Sequence, residues 1–240
     1  MRVGIKVMHP SAEEYLHKVA DSLDFIEVMA VIGQDCEYLR QFRLPVIVHN
    51  MHYTWKVNFV NPKKEEINRR SLEFSTRLAD EFNSRHIIVH PERKEDEGCS
   101  EEQFVRFLSS YPDTRIIVES MPYYAEGQRF YGYDRQSMKR LLDRTGKRMC
   151  LDFPHTSEAA VDLGRDPLDL VKDMMKLNPE HFHLSDTHLG TGKDEHTHLG
   201  EGNLPIAEYK KLIPKTAWVT LETPHDDPQK TKKDVEYLKA

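Results

Sequence analysis

Cysteine is scarce in this chain of 240 residues. Cys36, Cys99 and Cys150 are odd in number, far apart and in no metal-ligand spacing, which argues against a disulfide framework and fits a reducing cytoplasm. Long apolar runs are missing as well: no stretch of about 18 apolar residues occurs, and no basic-then-apolar leader stands at Met1 to Ser11, so neither a membrane span nor a secretion signal is expected. Basic charge is not in excess. A net charge of −6 gives no general attraction to polyanions, so any contact with nucleic acid has to be local. A glycine-rich phosphate turn is absent after the first apolar strand, where Met8-His9-Pro10-Ser11 stands instead, and this counts against an open, doubly wound sheet. No linker, low-complexity tract or short repeat divides the chain, and its length suits one barrel-sized domain over residues 1–240, with a monomer favoured.

What the sequence does hold is histidine, 13 in all, most of it at the ends of short β-branched runs. These runs are Val3 to Val7, Phe25 to Ala30, Pro45 to His49, His86 to His90, Arg115 to Glu119, Met149 to Phe153, His181 to Asp186 and Trp218 to Glu222. Helix-period sequence with start signals separates most of them: Ser11 with Glu14 and Ser100 with Gln103 read as capping boxes, and Asp134 caps a helix that Gly146 ends. The longest helix is expected after Asn61-Pro62, with Ile67, Phe74, Leu78 and Phe82 as its buried stripe. Strands alternating with helices imply parallel pairing through right-handed crossovers, and eight such units predict a closed (β/α)8 barrel.

Alternate residues of a strand share a face, so the apolar residue two positions before a polar terminus shows where that terminus points. Ile47 and His49 form such a pair, as do Ile88 and His90, Ile117 and Glu119, Cys150 and Asp152, and Thr220 and Glu222. All are expected to face the barrel mouth at the C-terminal ends of the strands, where barrels of this kind carry their sites. A lone histidine at a strand end is more often structural. Carboxylates and imidazoles crowded together are different, because they repel one another and desolvate poorly unless divalent cations neutralise the carboxylates and accept the imidazole lone pairs. Asp152-Phe153-Pro154-His155 adds an imidazole three residues past its carboxylate, and Asp194 and His196, two apart in a loop after the seventh strand, can offer an oxygen and a nitrogen to one ion.

With these residues in view the sequence resembles the endonuclease IV family, AP endonuclease family 2, within the xylose isomerase-like barrels. The resemblance rests on Tyr53 to Pro62 with the long helix leading to Ile88-Val89-His90-Pro91, on Cys150-Leu151-Asp152 with His155, on His183-Leu184-Ser185-Asp186 through Asp194-Glu195-His196 to Leu199-Gly200-Glu201-Gly202-Asn203, and on Leu221-Glu222-Thr223-Pro224. It implies one Zn2+ held by His49, His90 and Glu119, a second by Glu119, Asp152, His183 and Glu222, and a third by His155, Asp194 and His196, with Mn2+ able to replace some of them. Glu119, His155 and Asp194 would be catalytic. Tyr53, Trp55, Tyr123 and Tyr124 would contact substrate by stacking. The implied activity is cleavage of DNA 5′ to abasic sites, with clustered cations acidifying water and clamping the phosphate. The alternative is a sugar or sugar-phosphate isomerase or epimerase using Glu119, Asp152, His183 and Glu222 around one ion, with Glu119 and Glu222 exchanging protons. Glu27 in the second strand has a sugar-isomerase character.

Overall fold

The computed structural model describes residues 1–8, 12–191 and 195–240. Among these, eight parallel strands close into a barrel: β1 (Arg2–Val7), β2 (Phe25–Ala30), β3 (Val46–Asn50), β4 (Ile87–Val89), β5 (Ile116–Glu119), β8 (Arg148–Asp152), β9 (His181–Leu184) and β10 (Trp218–Leu221). A short antiparallel hairpin, β6 (Tyr124–Ala125) and β7 (Gln128–Arg129), follows the fifth barrel strand. The helices are α1 (Glu13–Val19), α2 (Glu65–Glu81), α3 (Glu101–Ser109), α4 (Arg135–Thr145), α5 (Phe153–Asp162), α6 (Pro167–Met175), α7 (Ile206–Leu212) and α8 (Pro228–Lys239). The expected (β/α)8 architecture is therefore the observed one, and only β2 is followed by a 3-10 turn (Glu37–Phe42) in place of an α-helix.

The barrel separates two apolar compartments. Outward-facing strand residues such as Val48, Val89, Val118 and Leu151 pack with the helices, whereas Phe25, Ile47, Ile88, Ile117, Cys150 and Trp218 form their own cluster inside the barrel. That inner cluster is the layer immediately below the polar strand ends, so the alternation read from the sequence gives the right orientation. Gly4 belongs to the same inner layer. A Cβ there would come within 2.6 Å of the Phe25 ring and of its carbonyl oxygen, so a glycine is required for β1 to lie against β2.

Local signals set most helix boundaries. Asp134 and Ser137 form a reciprocal capping box for α4, and Gly146 closes that helix at φ 66. Ser100 accepts the Gln103 amide, but the Gln103 side chain turns to Arg106 and does not complete the expected box. Ser11, the other expected cap, lies outside the described residues. The run Met149 to Phe153 ends one residue early because the Asp152 side chain takes the His155 amide at 2.6 Å and starts α5, with Pro154 in its first turn.

Helix α2 begins after the turn Pro62–Lys64, but its inner face differs from the expected stripe. The buried residues are Asn68, Ser71, Leu72, Ser75, Leu78 and Ala79, while Ile67, Phe74 and Phe82 are only partly covered. Polar residues are tolerated inside because each is bonded: Asn68 pairs with the backbone of Asn58, and Ser75 donates to Asn50 next to His49.

Candidate metal centre

Parallel register brings the strand ends to one level. Asp152 lies beside His183, Lys6 beside Glu27, and His49 one strand away from both β2 and β4. Glu119 stands at the middle. His49 Nε2 and His90 Nε2 approach its Oε2 at 3.1 and 3.2 Å, His183 Nδ1 approaches the same oxygen at 3.2 Å, and His155 Nδ1 lies 3.4 Å from Oε1. Glu222 adds an oxygen 2.9 Å from His183 Nδ1, and His196 Nδ1 lies 3.6 Å from its other oxygen. His49, Glu119 and His183 are fully or almost fully shielded from solvent.

Backbone and carboxylate acceptors fix the tautomers. His49 Nδ1 donates to the Asn50 carbonyl at 2.7 Å, His155 Nδ1 to the Ser120 carbonyl at 3.0 Å, and His183 Nε2 to Glu27 at 3.1 Å. In the neutral rings this leaves Nε2 of His49 and His155, and Nδ1 of His183, as lone-pair nitrogens. Two of these lone pairs, on His49 and His183, face carboxylate oxygens about 3 Å away. Such a meeting is stable only with a cation between the two atoms, whether a proton or a metal. His90 Nε2, His183 Nδ1 and Glu119 Oε1 are moreover buried without hydrogen-bond geometry to any partner, an uncompensated desolvation that metal coordination would relieve. The donors group accordingly: His49, His90 and Glu119 lie with their ligand atoms within 4.8 Å of one another, and so do Asp152, His183 and Glu222. The first group has the residues of the first position that the resemblance implied, the second has three of the four residues of the second position, and a further group joins Glu119 and Asp152 to His155.

The electrostatics follow from the crowding. Burial, with Glu119 and Glu222 close by, pushes the Asp152 carboxyl up to about 7. Burial lowers His90 to about 4, keeping it neutral and able to ligate. Burial opposes ionisation of Glu119, but His90 and His183 outweigh it and hold the carboxyl well below its ordinary range.

For the third expected position, His155 and His196 both line the mouth cavity, whereas Asp194 lies outside the described residues. The expected aromatics divide. Tyr53 lines the cavity, with Arg93 stacked 4.2 Å from its ring centre. Trp55 packs behind it on His52 and the core, Tyr123 packs with Tyr133 against Ala159 and Ala160, and Tyr124 is an exposed residue of the hairpin. The structure does not bring these three to the cavity.

One residue of the site, Lys6, escaped the sequence reading, and another, Glu27, has there only a sugar-isomerase character and no place at the site. Lys6 reaches Glu222 Oε1 at 2.8 Å, and Glu27 collects His181, His183 and Thr220 on a single oxygen at 3.2, 3.1 and 2.6 Å. Phe25 two residues before Glu27 carried the inward signal, but Glu27 sits in mid-strand and not at a terminus. For Lys6 the corresponding position is Gly4, which has no side chain to betray the face.

Above the donors a cavity of about 990 Å³ opens between Met8, Tyr15, Tyr53, Met121, Phe130 and Pro224. A closed parallel barrel whose strand ends carry a ring of imidazoles and carboxylates defines the class: a barrel with a site able to hold divalent metal. Residues 36–240 match the family described as xylose isomerase-like TIM barrel, and the chain belongs to that family. The sequence is 26% identical over 199 residues to "Probable endonuclease 4" of Halobacterium salinarum, covering 74% of this chain and 71% of that protein. In structure it is similar to endonuclease IV of Thermus thermophilus (TM-score 0.76, 20% identity, 99% of this chain and 97% of that one). It is similar as well to a D-tagatose 3-epimerase-like protein (TM-score 0.75, 17% identity, 100% and 96%). Likeness at these identities to solved structures establishes the fold that nuclease and epimerase share.

Proposed function

We propose that this protein is a metal-dependent phosphodiesterase of the endonuclease IV type, cutting DNA 5′ to abasic sites with a cluster of about three Zn2+, Mn2+ serving in place of some. The observation that carries the reading is Glu119. Its carboxylate is approached by four imidazoles, and a mononuclear set of Glu119, Asp152, His183 and Glu222 would leave His49, His90, His155 and His196 without use. The curated relative named endonuclease 4 supports the same choice.

Divalent cations held there would supply Lewis acidity toward a phosphodiester and would acidify water. The chain's own part is to hold and orient. His49 and His90 would offer Nε2, His183 would offer Nδ1, Glu119 would offer its carboxylate, and His155 with Asp194 and His196 would hold the outer ion. The cavity above them is large enough for an extruded sugar, and a nucleotide without a base is the least costly kind to extrude. Tyr53 at its wall can stack there. The reading places the protein in DNA repair in the cytoplasm.

A duplex carrying a single abasic site, incubated at low salt with metal-loaded protein, should be nicked on the 5′ side to leave a 3′-hydroxyl, while intact duplex survives. Bound metal near three per chain by elemental analysis should accompany it. The second reading, a sugar isomerase or epimerase, draws on the apolar lining of the cavity, where Lys6 is the one lysine or arginine among the described residues. Absence of nicking together with interconversion of ketoses by the same preparation would put that reading in place of the first.

A further inference from the structure

We propose that Lys6 is the anchor for the anionic group of the substrate, a phosphate oxygen, and that it contests Glu222 with the metal when no substrate is present. Lys6 stands next to the end of β1, its side chain only 11% exposed, and it lines the mouth cavity. Its Nζ lies 2.8 Å from Glu222 Oε1, and that same oxygen lies 2.9 Å from His183 Nδ1. One carboxylate oxygen thus faces both the ammonium and the lone pair that would ligate a cation.

An ammonium and a divalent ion on one oxygen repel strongly where both side chains are so little exposed. When a cation takes Glu222 with Asp152 and His183, Lys6 loses its partner. Glu119 and Glu27, the other carboxylates that act on it, are then engaged with the metal and with His181, His183 and Thr220. The flexible four-carbon stem can turn toward the cavity that it lines, and a buried ammonium without a counter-charge is costly. An anion in the cavity removes that cost. A neutral polyol would not, and so the placement favours a phosphate-bearing substrate. Among the described residues that line the cavity, the lysine is the one Lys or Arg that could serve the phosphodiester besides the metals.

This assignment deepens the phosphodiesterase reading but can fail separately from it, because it is measured at equilibrium without turnover. Inorganic phosphate is titrated calorimetrically into metal-loaded protein freed of excess metal, for the wild type, Lys6→Met and Lys6→Arg. Zn2+ is titrated in parallel into the metal-free forms, with melting curves to verify folding. Loss of a charged hydrogen bond should weaken phosphate binding by Lys6→Met about tenfold or more, while Lys6→Arg stays near the wild type. Zn2+ should bind Lys6→Met at least as tightly as the wild type, because the competing ammonium is gone. Wild-type phosphate affinity in Lys6→Met, or no phosphate binding by the wild type, overturns the proposal. So does weaker Zn2+ binding by Lys6→Met, which would make Lys6 a mere support for Glu222. Phosphate binding that depends on Lys6, in a protein that leaves abasic duplex uncut, would uphold the anchor, sink the nuclease and direct attention to sugar phosphates.

Discussion

Donors on the strand ends and donors on the loops above them are held by different means. Glu119, His49 and His183 are fixed by barrel register, are closed off from solvent, and each imidazole has its second nitrogen tied to an acceptor. His196 stands in a loop at φ 50 with about a third of its side chain exposed, close to Glu222 but not clamped by a strand. Positive φ in a residue with a Cβ is a strained choice that tends to collect at functional sites. The contrast teaches that the inner groups of donors are consequences of the fold, while His196 is an addition that a loop makes to them.

The contrast is tested hardest at Glu119. Replacing it by Gln should release metal from the inner positions and lower turnover on the order of a thousandfold, since several kcal/mol of electrostatic stabilisation are lost. His196→Ala should cost about one ion and less activity. Equal damage from both, in metal content and in rate, would erase the distinction between strand and loop. A smaller effect is expected one layer further in. Glu27→Gln keeps an acceptor for His183 but removes its charge, so metal affinity should fall about 10- to 100-fold. Nitrogen chemical shifts of His183 should report a less well-defined tautomer. Unchanged affinity would make Glu27 part of the scaffold alone. The smallest effect concerns protons. Burial holds the Asp152 carboxyl up at about 7, so a cation bound there would displace its proton, and affinity should drop about tenfold between pH 8 and pH 6. Competition with a chelating dye at the two pH values measures it, and a flat profile would mean that Asp152 does not ligate.

Much of this site was legible because a strand has a period of two. Wherever an apolar residue preceded a polar terminus by two positions, as with Ile47 and His49 or Ile117 and Glu119, the inward face followed directly. Lys6 was hidden behind Gly4, whose lack of a side chain is itself demanded by Phe25. The buried face of α2 was hidden for a related reason: its Asn68, Ser71 and Ser75 look like solvent-facing residues until Asn50 and Asn58 supply their hydrogen bonds. The aromatics misled because position after a strand shows that rings are near a mouth but not which way they turn. Tyr53 faces the cavity and Tyr124 faces solvent, a choice made by packing contacts distant in sequence.

Asp152 divides its two oxygens between tasks that are usually separate. One takes the His155 amide and starts α5, and the other looks across at His183, 3.9 Å away. On the proposed reading, occupancy of the mouth and the firmness of a helix end are therefore written in a single side chain. Isotope labelling can read this: the deuterium uptake of one backbone amide, that of His155, becomes a gauge of whether the barrel is loaded, without any substrate being added.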